Sequence, residues 1–136
     1  MYQHRPDIAL PESVRADLLQ AILRLNIAPG PGGSRIVDCT APEITDLFAS
    51  DGGFLGRFAV AALWPSAQIV AHRDAPIAGI RHHVPLQMNA GCWVFHDGTW
   101  QQLEVGKVYR MDPTQLHGAV NWGATLRLHL IVDVSK

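Results

Sequence analysis

The stretch TLRLHLIVDV, residues 125–134, alternates without a break. Leu126, Leu128, Leu130, Val132 and Val134 fall on one face of an extended chain, and Arg127, His129 and Asp133 fall on the other. The apolar face needs a cover, because a strand with one hydrophobic face is stable only when that face is packed. The opposite face is the unusual one. An arginine, a histidine and an aspartate turned into a β core cost free energy unless they are paired or meet a polar ligand, so the strands around this one should enclose something polar.

Two amphipathic helices near the start of the chain can supply the cover. Pro11 and Glu12 open a helical stretch over residues 11–26, in which Val14, Leu18, Ala21, Ile22 and Leu25 recur at spacings of three and four, before Asn26 and PGPGG at 29–33 stop it. TAPE at 40–43 has capping-box spacing, Ile44, Leu47 and Phe48 follow, and DGG at 51–53 closes a second helix over 41–50. From residue 57 the texture changes to about eight short runs rich in Val, Ile, Leu and aromatics: RFAVAALW, AQIVAH, GIRHHVPL, GCWVFH, TWQQLEV, KVYRM, HGAVNW and the stretch above. HDGTW is expected to be a hairpin turn, with Asp97 and Gly98 at its positive-φ positions. The pattern gives a mainly β single domain over 1–136, its strands over 57–134 forming a sandwich or barrel covered on one face by the two helices.

The chain has 136 residues, enough for one core and one dominant site. Hydrophobic residues at 48% and charged ones at 17% fit a packed domain. A net charge of −1 without a Lys/Arg cluster argues against nucleic acid or an anionic membrane as the partner. The first residues lack the pattern of a signal peptide, and no apolar run approaches the roughly 20 residues of a membrane span, so the expected location is the cytoplasm. Cys39 and Cys92 share no metal-type spacing and read as buried small hydrophobes.

The polar interior acquires a chemical meaning from residues 69–86, IVAHRDAPIAGIRHHVPL. His72 and Asp74 are separated by one residue, so on a continuing strand both side chains leave on the same face, about 7 Å apart along the backbone. An imidazole and a carboxylate are two of the three donors of the 2-His-1-carboxylate arrangement that holds Fe(II) and leaves positions open for substrate and oxygen. His117, in DPTQLHGAVNW, is the natural third donor. Arg127, on the inner face of the last strand, offers a fixed fork to a carboxylate. Taken alone, a His-x-Asp tripeptide is more often a turn or a hydrogen-bonded pair than a metal site.

In combination, His72-x-Asp74, Arg81 and His83, His117 followed by Asn121, Arg127, and LIVD at 130–133 resemble the aspartyl/asparaginyl β-hydroxylase family. The resemblance covers residues 69–134 and extends to everything after Arg57. It implies a double-stranded β-helix, the jelly-roll or cupin-like fold, and an Fe(II)- and 2-oxoglutarate-dependent dioxygenase that uses O2 to hydroxylate an unactivated C–H bond of an amino acid, an Asp/Asn-like peptide side chain or a small metabolite. His72, Asp74 and His117 would ligate iron, Arg127 would pair with the distal carboxylate of 2-oxoglutarate, and Arg81 and His83 would contact the cosubstrate or a substrate carboxylate near the metal. Asp74 sets the chain apart from the relatives that modify EGF-like domains, which have lost this carboxylate. Few residues remain for a lid, leaving a second subunit or a small substrate to complete the pocket.

The remaining polar residues have plainer expectations. His82 points away from Arg81 and His83, toward a supporting or surface role, and Arg73 faces away from the metal. His129 is an interior hydrogen-bonded histidine, while His4 and His96 are solvated. Trp93 and Trp122 pack the core, and Asn121 either orients His117 or caps a turn. Two rival functions stand beside the first. PTQLHGAVN, residues 113–121, matches the second cupin motif, which suggests a metalloprotein without 2-oxoglutarate; the other rival is a binding module without turnover. Arg127 separates them, since a cupin has no need of it.

Overall fold

The alternation in residues 125–134 builds the centre of the larger of two antiparallel sheets. The computed structural model describes residues 1–48 and 55–135. Its six-stranded sheet runs in the order β1 (Gln3–His4), β8 (Tyr109–Met111), β5 (Gly79–Gln87), β10 (Arg127–Ser135), β3 (Leu55–Leu63) and β2 (Ser34–Asp38). A four-stranded sheet, β4 (Gln68–His72), β9 (His117–Asn121), β6 (Cys92–His96) and β7 (Thr99–Gln101), packs against it. The architecture is a mainly β jelly roll with two helices, α1 (Glu12–Leu23) and α2 (Pro42–Leu47).

The outer face of the large sheet carries the main core. Leu128, Leu130, Val132 and Val134 of β10 meet Phe58, Val60 and Ala62 of β3, Val84 and Leu86 of β5, and Ile22, Ile44 and Phe48 from the helical segments. Each aliphatic side chain so enclosed contributes about 1.5–3 kcal/mol. Arg15 anchors α1 to this face by donating to the Leu86 carbonyl at 2.8 Å, while its other nitrogens grip Glu12. Between the sheets a smaller cluster of Tyr2, Leu63, Val94, Leu103, Tyr109, Met111 and Ala119 fills one end of the sandwich. The other end is polar. No helix among the described residues is long and apolar enough to cross a membrane.

Several local expectations are corrected. To the roughly eight expected strands the structure adds two, ten among the described residues, because β1 and β2 join the edges of the large sheet where the sequence offers only two and five residues without clear alternation. α1 ends at Leu23, and Asn26, at φ 48°, turns the chain away, so Leu25 is 60% exposed instead of buried. Thr40 does not cap α2: the N-cap is Ala41 in extended geometry, followed by Pro42, whose fixed φ and missing N–H suit the first helical position. The expected DGG stop at 51–53 lies outside the described residues. The HDGTW turn is as expected, with Asp97 at φ 48° and Gly98 at φ 85° joining β6 to β7.

One irregularity decides what enters the sandwich. The register of β4 on β9 shifts by one residue between Ile69 and His72: Ile69 faces Ala119, yet His72 faces His117. In a regular strand positions 69 and 72 point to opposite faces; a one-residue bulge turns both inward. Gly118 permits this, since a Cβ there would sit 2.6 Å from the Ile69 carbonyl oxygen and 3.1 Å from the Ala71 nitrogen. Gly118→Ala is therefore expected to destabilise the fold by about 1–3 kcal/mol in urea unfolding and to displace His72. An unchanged unfolding midpoint would show that β4 yields freely.

Candidate metal centre and its pocket

His72 and His117 are direct cross-strand partners, and this register brings their rings to 4.4 Å between centroids. Each ring is oriented from behind in the same way: Nδ1 lies 2.7 Å from the Val70 carbonyl in His72 and 2.8 Å from the Gln115 carbonyl in His117. A carbonyl oxygen only accepts, so Nδ1 carries a proton in both rings, and Nε2 is the atom left with a lone pair in the neutral imidazole. Both Nε2 atoms turn toward one carboxylate, 3.4 Å from Asp74 Oδ1 for His72 and 3.3 Å from Asp74 Oδ2 for His117.

Asp74 lies two residues past the end of β4, its backbone N–H donating to the Pro113 carbonyl at 2.9 Å. The three side chains thus offer ligand atoms within 4.8 Å of one another. Bonds of about 2.0–2.2 Å to a transition metal place neighbouring donors about 3 Å apart, so this donor set fits one ion with little movement. His117 is also held neutral, its pKa lowered by burial first and by the neighbouring His72, with its bond to Gln115 and the charge of Asp74 acting the other way. A neutral imidazole is the form that binds metal.

The trio opens into a cavity of about 180 Å³, lined also by Arg81, His83 and Arg127. Asp133 faces Arg81 across the β5–β10 ladder, and the two form a fork at 2.8 and 2.9 Å. The remaining Arg81 nitrogen, Nη1, reaches Asp74 Oδ2 at 3.4 Å. His83 Nδ1 meets His129 Nδ1 at 3.3 Å, so one of the two carries the shared proton.

Arg127 differs from every other arginine near the site. It is 2% exposed, its Nε has no hydrogen-bond partner, and no carboxylate among the described residues pairs with it. Burial lowers its pKa. An unpartnered guanidinium facing a cavity is a ready receptor for an anion. A wider cleft of about 530 Å³ opens nearby around Pro76, Ile80, Asp112 and Pro113, but none of these site residues lines it.

The other polar residues divide. His129 is fully buried, as expected, and His4 is exposed. His82 is buried against the Phe48 ring rather than at the surface, and His96 is 4% exposed instead of solvated, its Nε2 2.9 Å from the Asp112 carbonyl. Trp122 is 71% exposed rather than in the core. Asn121 takes the turn role: its amide donates to the Leu63 and Thr125 carbonyls, both at 2.9 Å, and its oxygen accepts from Gly123 N. The sequence reading missed the Arg81–Asp133 fork, whose only signal was that both residues lie on inward faces, and Tyr2, which lines the cavity from β1's side.

Comparison with known proteins gives the family and the fold. The family model of the aspartyl/asparaginyl beta-hydroxylases matches residues 39–136, and the chain belongs to that family. No curated protein sequence matches it significantly. Among solved structures, the viral collagen prolyl hydroxylase vCPH from Paramecium bursaria Chlorella virus-1, a 2OG complex, superposes with a TM-score of 0.73 at 12% identity, covering 98% of this chain and 94% of that one. AviO1 from Streptomyces viridochromogenes gives 0.70 at 18% identity, with 94% and 86% covered. A cupin superfamily protein from Desulfitobacterium hafniense gives 0.53 at 7% identity, with 84% and 88% covered. At these identities the likeness is one of fold.

The buried His129 and the half-buried His83 make stability depend on pH. Burial, then the Arg127 charge, holds His83 and His129 well below the ordinary imidazole value of 6.5. The unfolded chain takes up protons near 6.5 while the folded chain resists, so stability is full above that pH and is lost as the pH falls below it. The urea midpoint of the metal-free protein should drop between about pH 7 and pH 5, and His129→Phe should flatten the dependence. A midpoint constant over that range would mean these rings titrate freely in the folded state.

Proposed function

We propose that the chain is a cytoplasmic Fe(II)- and 2-oxoglutarate-dependent hydroxylase of an amino acid, a peptide side chain of Asp/Asn type or a small metabolite. The observation that carries the reading is the pairing, in one small cavity, of a two-histidine, one-carboxylate donor set with a buried guanidinium that has no counter-charge among the described residues. His72, Asp74 and His117 hold the iron, and Arg127 receives the distal carboxylate of 2-oxoglutarate. When bound, iron and the oxo-diacid supply with O2 the oxidising power that hydroxylates a C–H bond and releases succinate and CO2.

The chain's own residues set the geometry. Val70 and Gln115 fix the tautomers of the two histidines, so both Nε2 atoms are ready without rearrangement. Arg81 and His83 face the end of the diacid nearest the metal. Arg81 does so only through Nη1, since Asp133 engages its other two nitrogens, and it also holds Asp74 in place. The low basicity of His83 and His129 keeps a second positive charge away from Arg127. A cupin-type function without 2-oxoglutarate gives Arg127 no partner and leaves its burial unexplained.

With Fe(II) and O2, the purified protein should turn 2-oxoglutarate into succinate slowly even without its prime substrate. Asp74→Ala should lower iron retention, and unchanged metal content would remove Asp74 from the ligands. Arg127→Met should weaken 2-oxoglutarate binding roughly a hundredfold while metal binding stays within a few-fold. Because the variant removes an uncompensated buried charge, its ligand-free form should unfold at the same or higher urea concentration than the parent. Loss of metal and diacid binding together would point to misfolding and against the assignment.

A further inference from the structure

Arg127 is not the only unsatisfied polar group aimed into this cavity. Tyr2 lines it too and is 4% exposed. Its hydroxyl donates to and accepts from nothing among the described residues and is not sealed from solvent, and the charges that act on it are those of the cavity residues Arg127, Arg81 and Asp74. A buried tyrosine hydroxyl ordinarily finds a partner.

The ring is held with unusual care for a residue beside a two-residue strand. The Tyr2 backbone N–H donates to Gln101 Oε1 at 2.6 Å and its carbonyl accepts from Gln101 Nε2 at 3.1 Å. β1 then pairs with β8, and Arg5 N donates to the Val108 carbonyl at 2.7 Å. The ring stands edge-on to His83 with centroids 5.2 Å apart and lies 5.6 Å from the ring of His96. These contacts fix the direction of the phenol but leave its oxygen unused. Burial pushes its pKa up to about 12, while the charges of Arg127 and then Arg81 pull it down, so it is a neutral donor at any working pH. A neutral O–H and a guanidinium facing one space suit a single carboxylate, which has lone pairs for both.

We infer that Tyr2 is a ligand-binding residue whose hydroxyl donates a hydrogen bond to the same anion that Arg127 receives, making the segment before α1 part of the binding site. The inference rests on the 2-oxoglutarate reading above. It gives the short β1–β8 pairing a role: that pairing carries a binding group, so diacid binding and docking of this segment stabilise each other by linkage.

Tyr2→Phe tests it, because the variant keeps the ring and its contacts with His83 and His96 and removes only the oxygen. Titration calorimetry on anaerobic, Mn(II)-loaded protein would compare 2-oxoglutarate with 2-oxopentanoate, which lacks the distal carboxylate. Loss of a hydrogen bond to a charged group should weaken 2-oxoglutarate about tenfold or more, with 2-oxopentanoate and Mn(II) affinities unchanged. A thermal shift of the free variant would not alter that ratio, which is the deciding quantity. If the parent binds the diacid and Arg127→Met loses it while Tyr2→Phe does not, the Tyr2 assignment falls alone. Equal weakening of both acids would also overturn it, since the ring would then act by packing. If the parent shows no preference for the diacid, the reading of the site falls with it.

Discussion

A guanidinium enclosed without a counter-charge is among the most expensive arrangements a small protein can hold, and Arg127, at 2% exposure, has none among the described residues. Its own strand carries the compensation. Leu128, Leu130 and Val132, each at 0–1% exposure, lie on the opposite face of β10, and each contributes about 1.5–3 kcal/mol. β10 is also hydrogen-bonded on both edges, to β5 and to β3. The strand cannot turn its charged face outward without exposing that apolar face. The charge is thus fixed by the core, and an anion would meet a receptor that needs no reorganisation.

The same register organises the rest of the inner face. Pairing Asp133 with Arg81 across β10 and β5 cancels one buried charge internally and leaves a single nitrogen free to reach Asp74. The metal trio depends on a different sheet and on a smaller device. One extra residue in β4, admitted by the absence of a side chain at Gly118, rotates His72 inward beside His117. Without that bulge the two histidines would stand on opposite faces of the four-stranded sheet, and no rotamer change would reunite them.

The sequence carried the parts of this structure whose causes are local. The alternation of 126–134 predicts both faces of β10, Asp97-Gly98 predicts the hairpin, and His72, Asp74, His117 and Arg127 bring out the family and are gathered by the fold at one cavity. What it did not carry depends on partners far along the chain. The H-x-D reading assumed a strand continuing through Asp74; β4 instead stops at His72, and the inward turn of His72 comes from the bulge. β1 and β2 exist because the large sheet has open edges, and nothing in Gln3–His4 alone favours a strand. His96 looks like a solvated histidine until the Asp112 carbonyl meets it, and only the Phe48 ring decides His82 between a supporting and a surface place. Thr40 has the spacing of a cap, but Pro42 starts the helix one residue later than the cap requires.

Exposure within the site is graded, and the gradient bears on how it fills. Arg127 lies deepest, His117 has 11% of its side chain exposed, and His72 and Asp74 stand at the mouth with 42% and 38%. The proposed occupants match this depth order in charge. The Arg81–Asp133 fork sums to zero, leaving +1 on Arg127 and −1 on Asp74; a divalent ion and an oxo-diacid dianion add +2 and −2, so the filled site is neutral. The ion alone would leave two net positive charges in the cavity, one of them at its floor. Arg127 would hold the far carboxylate of such a diacid at the floor, where desolvation makes the attraction strongest, and His72, Asp74 and His117 would hold the ion nearer the mouth. With the floor so occupied, the exposed mouth at His72 and Asp74 would be the face from which a substrate approaches.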